Sequence, residues 1–173
     1  MKKLHKLIFS AVFLALAFVL PFLTGQIANV GAMLCPMHIP VILCGFLCSW
    51  KWGLAVGFIA PLLRSFTLGM PPMFPTALAM AFELATYGAI AGCAYAMLPK
   101  KKLYVYPSLV ISMIAGRIIW GIVTFACVSF SGGEFGLSAF VSGAVLNAIP
   151  GIILQLAIIP PIVMLLKNTK IFK

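Results

Sequence analysis

The stretch "APLLRSFTLGMPPMFPTALAMAFELATYG", residues 60–88, decides the fold. It consists of two apolar runs on either side of "GMPPMFP", and it contains two charged residues, Arg64 and Glu83. Proline fixes φ and has no amide hydrogen, so the central segment predicts a stiff turn between two apolar helices. A charge at the centre of a membrane helix costs about 2.5–3.5 kcal/mol, so Arg64 and Glu83 are the first candidates for function.

The composition of the whole chain indicates an integral membrane protein. Of its 173 residues, 64% are hydrophobic and only 8% are charged, whereas a soluble domain has about a quarter charged residues. We expect a single transmembrane domain over residues 1–173. The net charge of +10 is spread over the ends of apolar runs, which argues against nucleic-acid binding because that needs one basic face.

Six apolar runs are long enough to cross a bilayer or nearly so. They predict an all-α bundle of six transmembrane helices at about 7–24, 37–50, 53–69, 76–98, 103–130 and 138–166. The second and third are short, and a tight turn at Trp50-Lys51-Trp52 is expected between them. Small residues recur four apart, as in Gly53/Gly57 and Gly88/Gly92, which predicts close helix packing.

The lysines predict the topology. With six spans, every lysine group lies on one side of the membrane, and the loops at 25–36, 70–75 and 131–137 contain no Lys or Arg. By the positive-inside rule both termini are cytoplasmic. A basic start followed by an apolar run also fits a cleaved signal peptide, but this run is long for one, and the charges segregate best if it is retained.

Four polar residues on four predicted helices are expected to converge in the outer half of the bundle. Depth along each helix places Arg64, Glu83, Arg117 and Asn147 at similar levels. An Arg64–Glu83 pair that only clamps two helices is one interpretation. The other is a ligand site, because two arginines and one glutamate leave one positive charge for a carboxylate.

The outer loops supply two further candidates, Asn29 and His38. Asn29 is predicted either to contact a ligand or to be solvated. His38, with Cys35 and nearby methionines, suggests soft-metal capture, but the spacing matches no metal motif, so we expect a pocket or helix-start role and no metal or other cofactor. The sequence has no Walker A motif and no nucleophile–base pair, so no enzyme activity is predicted.

Two segments have a recognisable pattern: "SAVFLALAF" at residues 10–18, with Ala11 and Ala15 in an Ala-x-x-x-Ala pattern, and "MHIPVILCGFLCSWKWGLAVGF" at residues 37–58. In these segments the chain resembles the substrate-binding (S) components of energy-coupling-factor vitamin transporters. The resemblance implies a vitamin site at the outer end of the bundle in a bacterial cytoplasmic membrane. It also implies a transmembrane coupling subunit that docks on Ala11 and Ala15, and two separate ATPase subunits.

The residues alone leave the substrate and the function class open. Pantothenate is the first choice because it is a small carboxylate, and folate, nicotinate or biotin are alternatives. A stand-alone secondary transporter that uses Glu83 as its proton site is a second hypothesis. A structural or assembly membrane protein, held together by its intramembrane charges, is a third.

Overall fold

The computed structural model describes residues 3–25, 34–99, 102–133, 136–144 and 148–169, and all regular structure in them is helical. The helices are α1 Lys3–Gly25, α2 His38–Cys48, α3 Trp50–Leu68, α4 Leu78–Met97, α5 Val105–Phe130, α6 Leu137–Ala144 and α7 Ile149–Asn168. A π-helical turn, Met73–Ala77, precedes α4, and a 3-10 turn, Lys102–Tyr104, precedes α5.

Among the described residues, four stretches are long and apolar enough to cross a membrane: Lys3–Leu23, Met73–Met97, Val105–Phe130 and Ile149–Asn168. The helix α2 is apolar but has only 11 residues. It lies in the middle of the molecule, where ten of its residues are buried against α1, α3, α4 and α7. Its neighbours in the bundle therefore cover it almost completely.

The predicted last span differs from the structure. Residues 138–166 were expected to form one helix, but α6 ends at Ala144 and α7 begins at Ile149, so the described residues hold seven α-helices where six were predicted. Pro150 stands in the first turn of α7. Proline suits that position because its missing amide would have no helical partner there, so it marks a helix start within the apolar run.

The connection between α2 and α3 also lies elsewhere than predicted. Trp50, Lys51 and Trp52 form the first turn of α3, and the break is the single residue Ser49. Ser49 has φ 139° and ψ 160°, and its carbonyl accepts the amides of Trp52 and Gly53 at 3.1 and 3.0 Å. The chain therefore reverses within one residue, which aligns α2 and α3 side by side.

Glycines bring α2, α3 and α4 into backbone contact. A Cβ on Gly53 would lie 2.6 Å from the carbonyl oxygen of Gly88, and a Cβ on Gly92 would lie 2.7 Å from the carbonyl oxygen of Gly45. Gly57 packs in the same way against Leu84. The predicted close packing at these spacings is confirmed, and any side chain here would separate the helices.

The connection from α3 to α4 combines a left-handed glycine with the proline segment. Gly69, at φ 69°, ends α3 and donates its amide to the carbonyl of Ser65 at 2.9 Å. A glycine adopts this conformation without the steric cost of a side chain. The amide of Ala77 then donates to the carbonyl of Pro72 at 2.9 Å and leads into α4. The turn predicted from "GMPPMFP" thus holds α3 and α4 antiparallel and close.

Candidate functional site

Glu83 is the centre of a buried polar cluster formed by three helices. It lies in α4 with 2% of its side chain exposed, and its Oε1 forms an ion pair with the Nη1 of Arg117, on α5, at 2.9 Å. The Nε2 of His38, the first residue of α2, lies 3.4 Å from the same oxygen. A charge this far from water is tolerated in a membrane protein only with such partners.

The ring of Tyr87 packs against one side of the cluster. Tyr87 lies one turn after Glu83 on α4, so the two side chains share a face. Its ring meets that of His38 edge-on, with centroids 5.0 Å apart. A Cβ on Gly116 would lie 2.6 Å from the Tyr87 ring, so the glycine before Arg117 lets the ring lie flat on α5.

Cys35 borders the cluster at the start of α2. Its sulfur lies 3.7 Å from the Nη2 of Arg117, and its carbonyl accepts the amide of His38 at 3.1 Å. Burial raises the pKa of the Cys35 thiol, Arg117 opposes that rise, and Glu83 adds to it. The thiol is therefore neutral at physiological pH and acts as a weak acceptor for Arg117.

Two nitrogen atoms in the cluster have no hydrogen-bond partner within the described part of the chain. They are the Nδ1 of His38 and the Nε of Arg117, and both are buried. A buried polar atom without a partner costs free energy, and such atoms are rare in folded proteins. These two nitrogens are the atoms of the cluster that a further hydrogen-bonding group could satisfy, and neither is reached by solvent in this structure.

Arg117 also borders an apolar cavity. This cavity of about 370 Å³ is open at its surface and lies between α5, α6 and α7, and Arg117 is the one charged residue among the described residues that line it. The other lining residues are Val110, Met113, Ile114, Ile118, Phe140, Ile152 and Leu156. One guanidinium therefore connects the buried carboxylate of Glu83 with a space of ligand size, since small-molecule pockets have roughly 300–1,000 Å³.

The expected pairing of Arg64 with Glu83 is wrong. The Nη1 of Arg64 donates to the carbonyl of Phe18, on α1, at 3.0 Å, and its guanidinium lies over the ring of Phe22 at 4.8 Å. Depth along a helix gives the level of a residue but not the direction of its side chain. Arg64 joins α3 to α1, while Arg117 takes the place beside Glu83.

The balance of charge in the cluster changes accordingly. Arg117 and Glu83 neutralise each other, and the surplus arginine inferred from the sequence is Arg64, which lies at the contact of α1 and α3. The cluster therefore does not hold the spare positive charge that suggested an anionic ligand. What it does hold is an unused donor, the Nε of Arg117, and a ring nitrogen without a partner among the described residues, the Nδ1 of His38.

The other predicted residues fall into two groups. Asn29 and Asn147 lie outside the described residues. Ala11 and Ala15 are both exposed on α1, opposite the buried Phe13 and Ala17, so they are accessible to a partner. In the described ranges no group of three or more His, Cys, Asp or Glu residues is arranged to hold a metal ion.

Three site residues received little or no weight from the sequence: Cys35, Tyr87 and Gly116. The spacing of Tyr87 four residues after Glu83 was a usable signal, because such pairs are neighbours on one helix face. The place of Gly116 next to Arg117 was another, because a glycine permits close approach. Nothing in the sequence indicates that Cys35 reaches Arg117 on α5.

Comparison with known proteins gives one match. The family model described as "ECF transporter, substrate-specific component" matches residues 5–163. No curated protein and no solved structure matches the chain. The match extends over nearly all of α1, the whole of α2 to α6 and the greater part of α7, so it includes both the polar cluster and the exposed alanines of α1.

Proposed function

The chain belongs to the family of ECF transporter substrate-specific components. Members of this family are membrane transporter subunits and are not themselves enzymes. On this basis we propose that the chain captures a water-soluble vitamin or related micronutrient. The observation that carries this proposal is the position of Arg117. It bridges a buried carboxylate and a cavity of about 370 Å³, with one guanidinium nitrogen unused in the described structure. A ligand with a polar end and an apolar body suits that arrangement.

Pantothenate is the proposed substrate, with folate, nicotinate and biotin as the alternatives. The proposal of a carboxylate-bearing substrate now rests on Arg117 alone, because Arg64 lies at the contact between α1 and α3. Guanidinium groups form strong, charge-assisted hydrogen bonds with carboxylates, and the Nε of Arg117 has no partner among the described residues and is the donor proposed for one such bond. His38 supplies the second buried nitrogen, and Asn29 and Asn147 are proposed as further ligand contacts.

Titration of the purified full chain with these four compounds tests the substrate. We expect pantothenate to bind. Met113→Trp, which fills the cavity, should abolish binding, whereas Ile111→Trp should leave it unchanged, because Ile111 is exposed on α5 and does not line the cavity. Binding of another member of the panel would replace pantothenate as the substrate. Unchanged binding in Met113→Trp would place the ligand outside this cavity.

The family also suggests how the substrate would be delivered. We propose that both termini lie in the bacterial cytoplasm and that a transmembrane coupling subunit, driven by two ATPases, docks on Ala11 and Ala15. The exposure of both alanines on one face of α1 supports this, because small residues permit close helix contact in lipid.

Bulky substitutions distinguish docking from binding. Ala11→Trp should preserve substrate binding and abolish uptake by the assembled transporter, because the indole blocks close helix contact. The control Ile122→Trp places the same group at an exposed position of α5 and should preserve both. Normal uptake in Ala11→Trp would contradict docking at this face.

A further inference from the structure

Two cysteines lie together at the end of α2, in a part of the bundle that the proposed vitamin site does not use. Cys44 and Cys48 are one helical turn apart, so their side chains share a face of α2. Both are free thiols, and they are 0% and 1% exposed. His38 is the first residue of the same helix and Cys48 is the last, so this pair is separate from the polar cluster.

The two thiols form a compact polar group with a serine of α1. The sulfur of Cys44 lies 3.6 Å from the hydroxyl oxygen of Ser10. The thiols of Cys44 and Cys48 also form a hydrogen bond with each other, and Cys48 forms one with Ser10. Ser10 is buried and donates its own proton to the carbonyl of Lys6 at 2.7 Å, so its oxygen presents lone pairs to the thiols.

The spacing of the two sulfurs suits one soft metal ion. Thiolates are soft ligands that select Cu⁺. A zinc–sulfur bond is about 2.3 Å long, so one ion of similar size bridges two thiolates as much as about 4.6 Å apart. Thiols in hydrogen-bond contact lie within that reach, and a modest rotation of either side chain would admit the ion. A site of two thiolates is also smaller than the groups of three or more ligands that the described ranges lack.

A second cavity gives an ion access to the pair. It has about 370 Å³, is open at its surface, and has Cys48 and Lys6 in its lining. An ion can therefore meet Cys48 first and Cys44 behind it. Two thiolates and one monovalent ion carry a net negative charge, and Lys6 is close enough to Cys48 to act on it electrostatically. Packing alone accounts for a single buried thiol, but it does not require two thiols and a hydroxyl to face one another.

We propose that Cys44 and Cys48 together bind one soft monovalent metal ion with the chemistry of Cu⁺. Binding replaces the proton of each thiol by a metal–sulfur bond, and both protons pass to water without any transfer of electrons. Ser10 adds a weak oxygen contact from α1, so the ion would join the end of α2 to α1. This inference does not depend on the identity of the vitamin or on the coupling subunit.

Titration of the purified full chain with Cu⁺, under reducing conditions and against a competing chelator, tests the proposal. We expect one ion to bind per chain, with the ultraviolet absorption of a Cu⁺–thiolate complex. Cys44→Ala/Cys48→Ala should weaken binding at least about a hundredfold, because even the outer partners of metal ligands are worth about 10–100-fold in affinity. The control Cys93→Ala/Cys127→Ala removes two thiols from different helices, α4 and α5, and should keep the ion.

Three outcomes would overturn the proposal: no binding by the unaltered chain, equal losses in the two double variants, or Zn²⁺ bound as tightly as Cu⁺. If Cys44→Ala/Cys48→Ala fails to fold, Cys48→Ala alone replaces it and should also lose the ion, because one thiolate does not hold it. Retention of the ion by folded Cys48→Ala would contradict a site of two thiolates.

X-ray absorption of the unaltered chain with one bound Cu⁺ needs no variant. It should show two sulfur neighbours around the ion, and a majority of nitrogen or oxygen neighbours would contradict the assignment to Cys44 and Cys48.

Discussion

Arg64 and Arg117 are two intramembrane arginines whose environments differ. Arg117 lies in a closed cluster of side chains, where it pairs with Glu83 and borders an apolar cavity. Arg64 contacts α1 through a backbone carbonyl and a phenylalanine ring, and no carboxylate accepts its hydrogen bonds among the described contacts. One arginine is part of a candidate binding site, and the other holds two helices together.

The difference shows two ways in which a membrane protein accommodates a guanidinium. Pairing with a buried carboxylate fixes both groups and makes each dependent on the other. Arg64 instead has one hydrogen bond to a carbonyl and one cation–π contact with an aromatic ring, and its side chain stays half-exposed. Substitutions at the two arginines should therefore differ in size and in kind.

The largest effect is expected for Arg117→Leu. It leaves Glu83 buried without its cation, and breaking a buried ion pair in this way costs about 3–5 kcal/mol of folding free energy. Equilibrium unfolding of the purified protein in mixed micelles measures the loss. A decrease of less than about 1 kcal/mol in the free energy of unfolding would mean that Arg117 is not needed to keep the Glu83 carboxylate buried.

The double variant Glu83→Gln/Arg117→Leu should recover at least half of that loss, because it removes the unpaired charge along with its partner. The four proteins of the cycle give the coupling free energy between the two residues. Additive losses in the double variant would show that the two side chains stabilise the fold independently.

Gly116→Ala tests the packing beside Arg117. Alanine normally stabilises a helix relative to glycine, but here its Cβ would meet the Tyr87 ring, and such overpacking costs about 1–3 kcal/mol. Gly136→Ala is the control, because its nearest neighbour would be the hydroxyl of Ser138 at 3.7 Å. A gain in thermal stability for Gly116→Ala would contradict the close contact.

Arg64→Gln should lower the stability by only about 1–2 kcal/mol, the combined value of one charged hydrogen bond and one exposed cation–π contact. The loss should appear as weaker attachment of α1, which hydrogen exchange of the α1 amides can measure. A loss as large as that of Arg117→Leu would mean that Arg64 has a buried partner beyond Phe18 and Phe22.

Cys35→Ala should have the smallest effect, within about 1 kcal/mol, because a thiol is a weak acceptor and Arg117 keeps its contact with Glu83. Thermal unfolding measures it. A larger loss would mean that the Cys35 thiol contributes more to the cluster than this one weak contact with Arg117.

Much of the fold followed from the sequence because long apolar runs have clear ends. The predicted helices 76–98 and 103–130 match α4 and α5 to within two residues, since prolines and lysines bound these runs. The separation of α6 and α7 was missed although Pro150 was visible, because the run on both sides of it is uniformly apolar. The break at Ser49 was missed because the turn was predicted at Trp50-Lys51-Trp52, where a lysine lies between two tryptophans.

The sequence indicated which residues belong to the polar cluster but not which of them contact each other. Glu83, Arg117 and His38 were identified because charge and imidazole are rare in such a sequence, and all three meet in the structure. Their partners depend on how α3, α4 and α5 are rotated about their axes, and that rotation is set by glycine contacts such as Gly53 with Gly88. Residue depth does not contain this information, so Arg64 was placed in the cluster with Glu83 alongside Arg117.

The proposed function puts Arg117, and not Arg64, in contact with the substrate. Pantothenate affinity, measured for Arg117→Lys and Arg64→Lys by titration of the purified chain, tests it most directly. Lysine keeps each charge but lacks the forked donors of arginine, so Arg117→Lys should bind at least about tenfold more weakly and Arg64→Lys should bind as the unchanged protein does. Equal affinities in the two variants, or a loss only in Arg64→Lys, would contradict the claim.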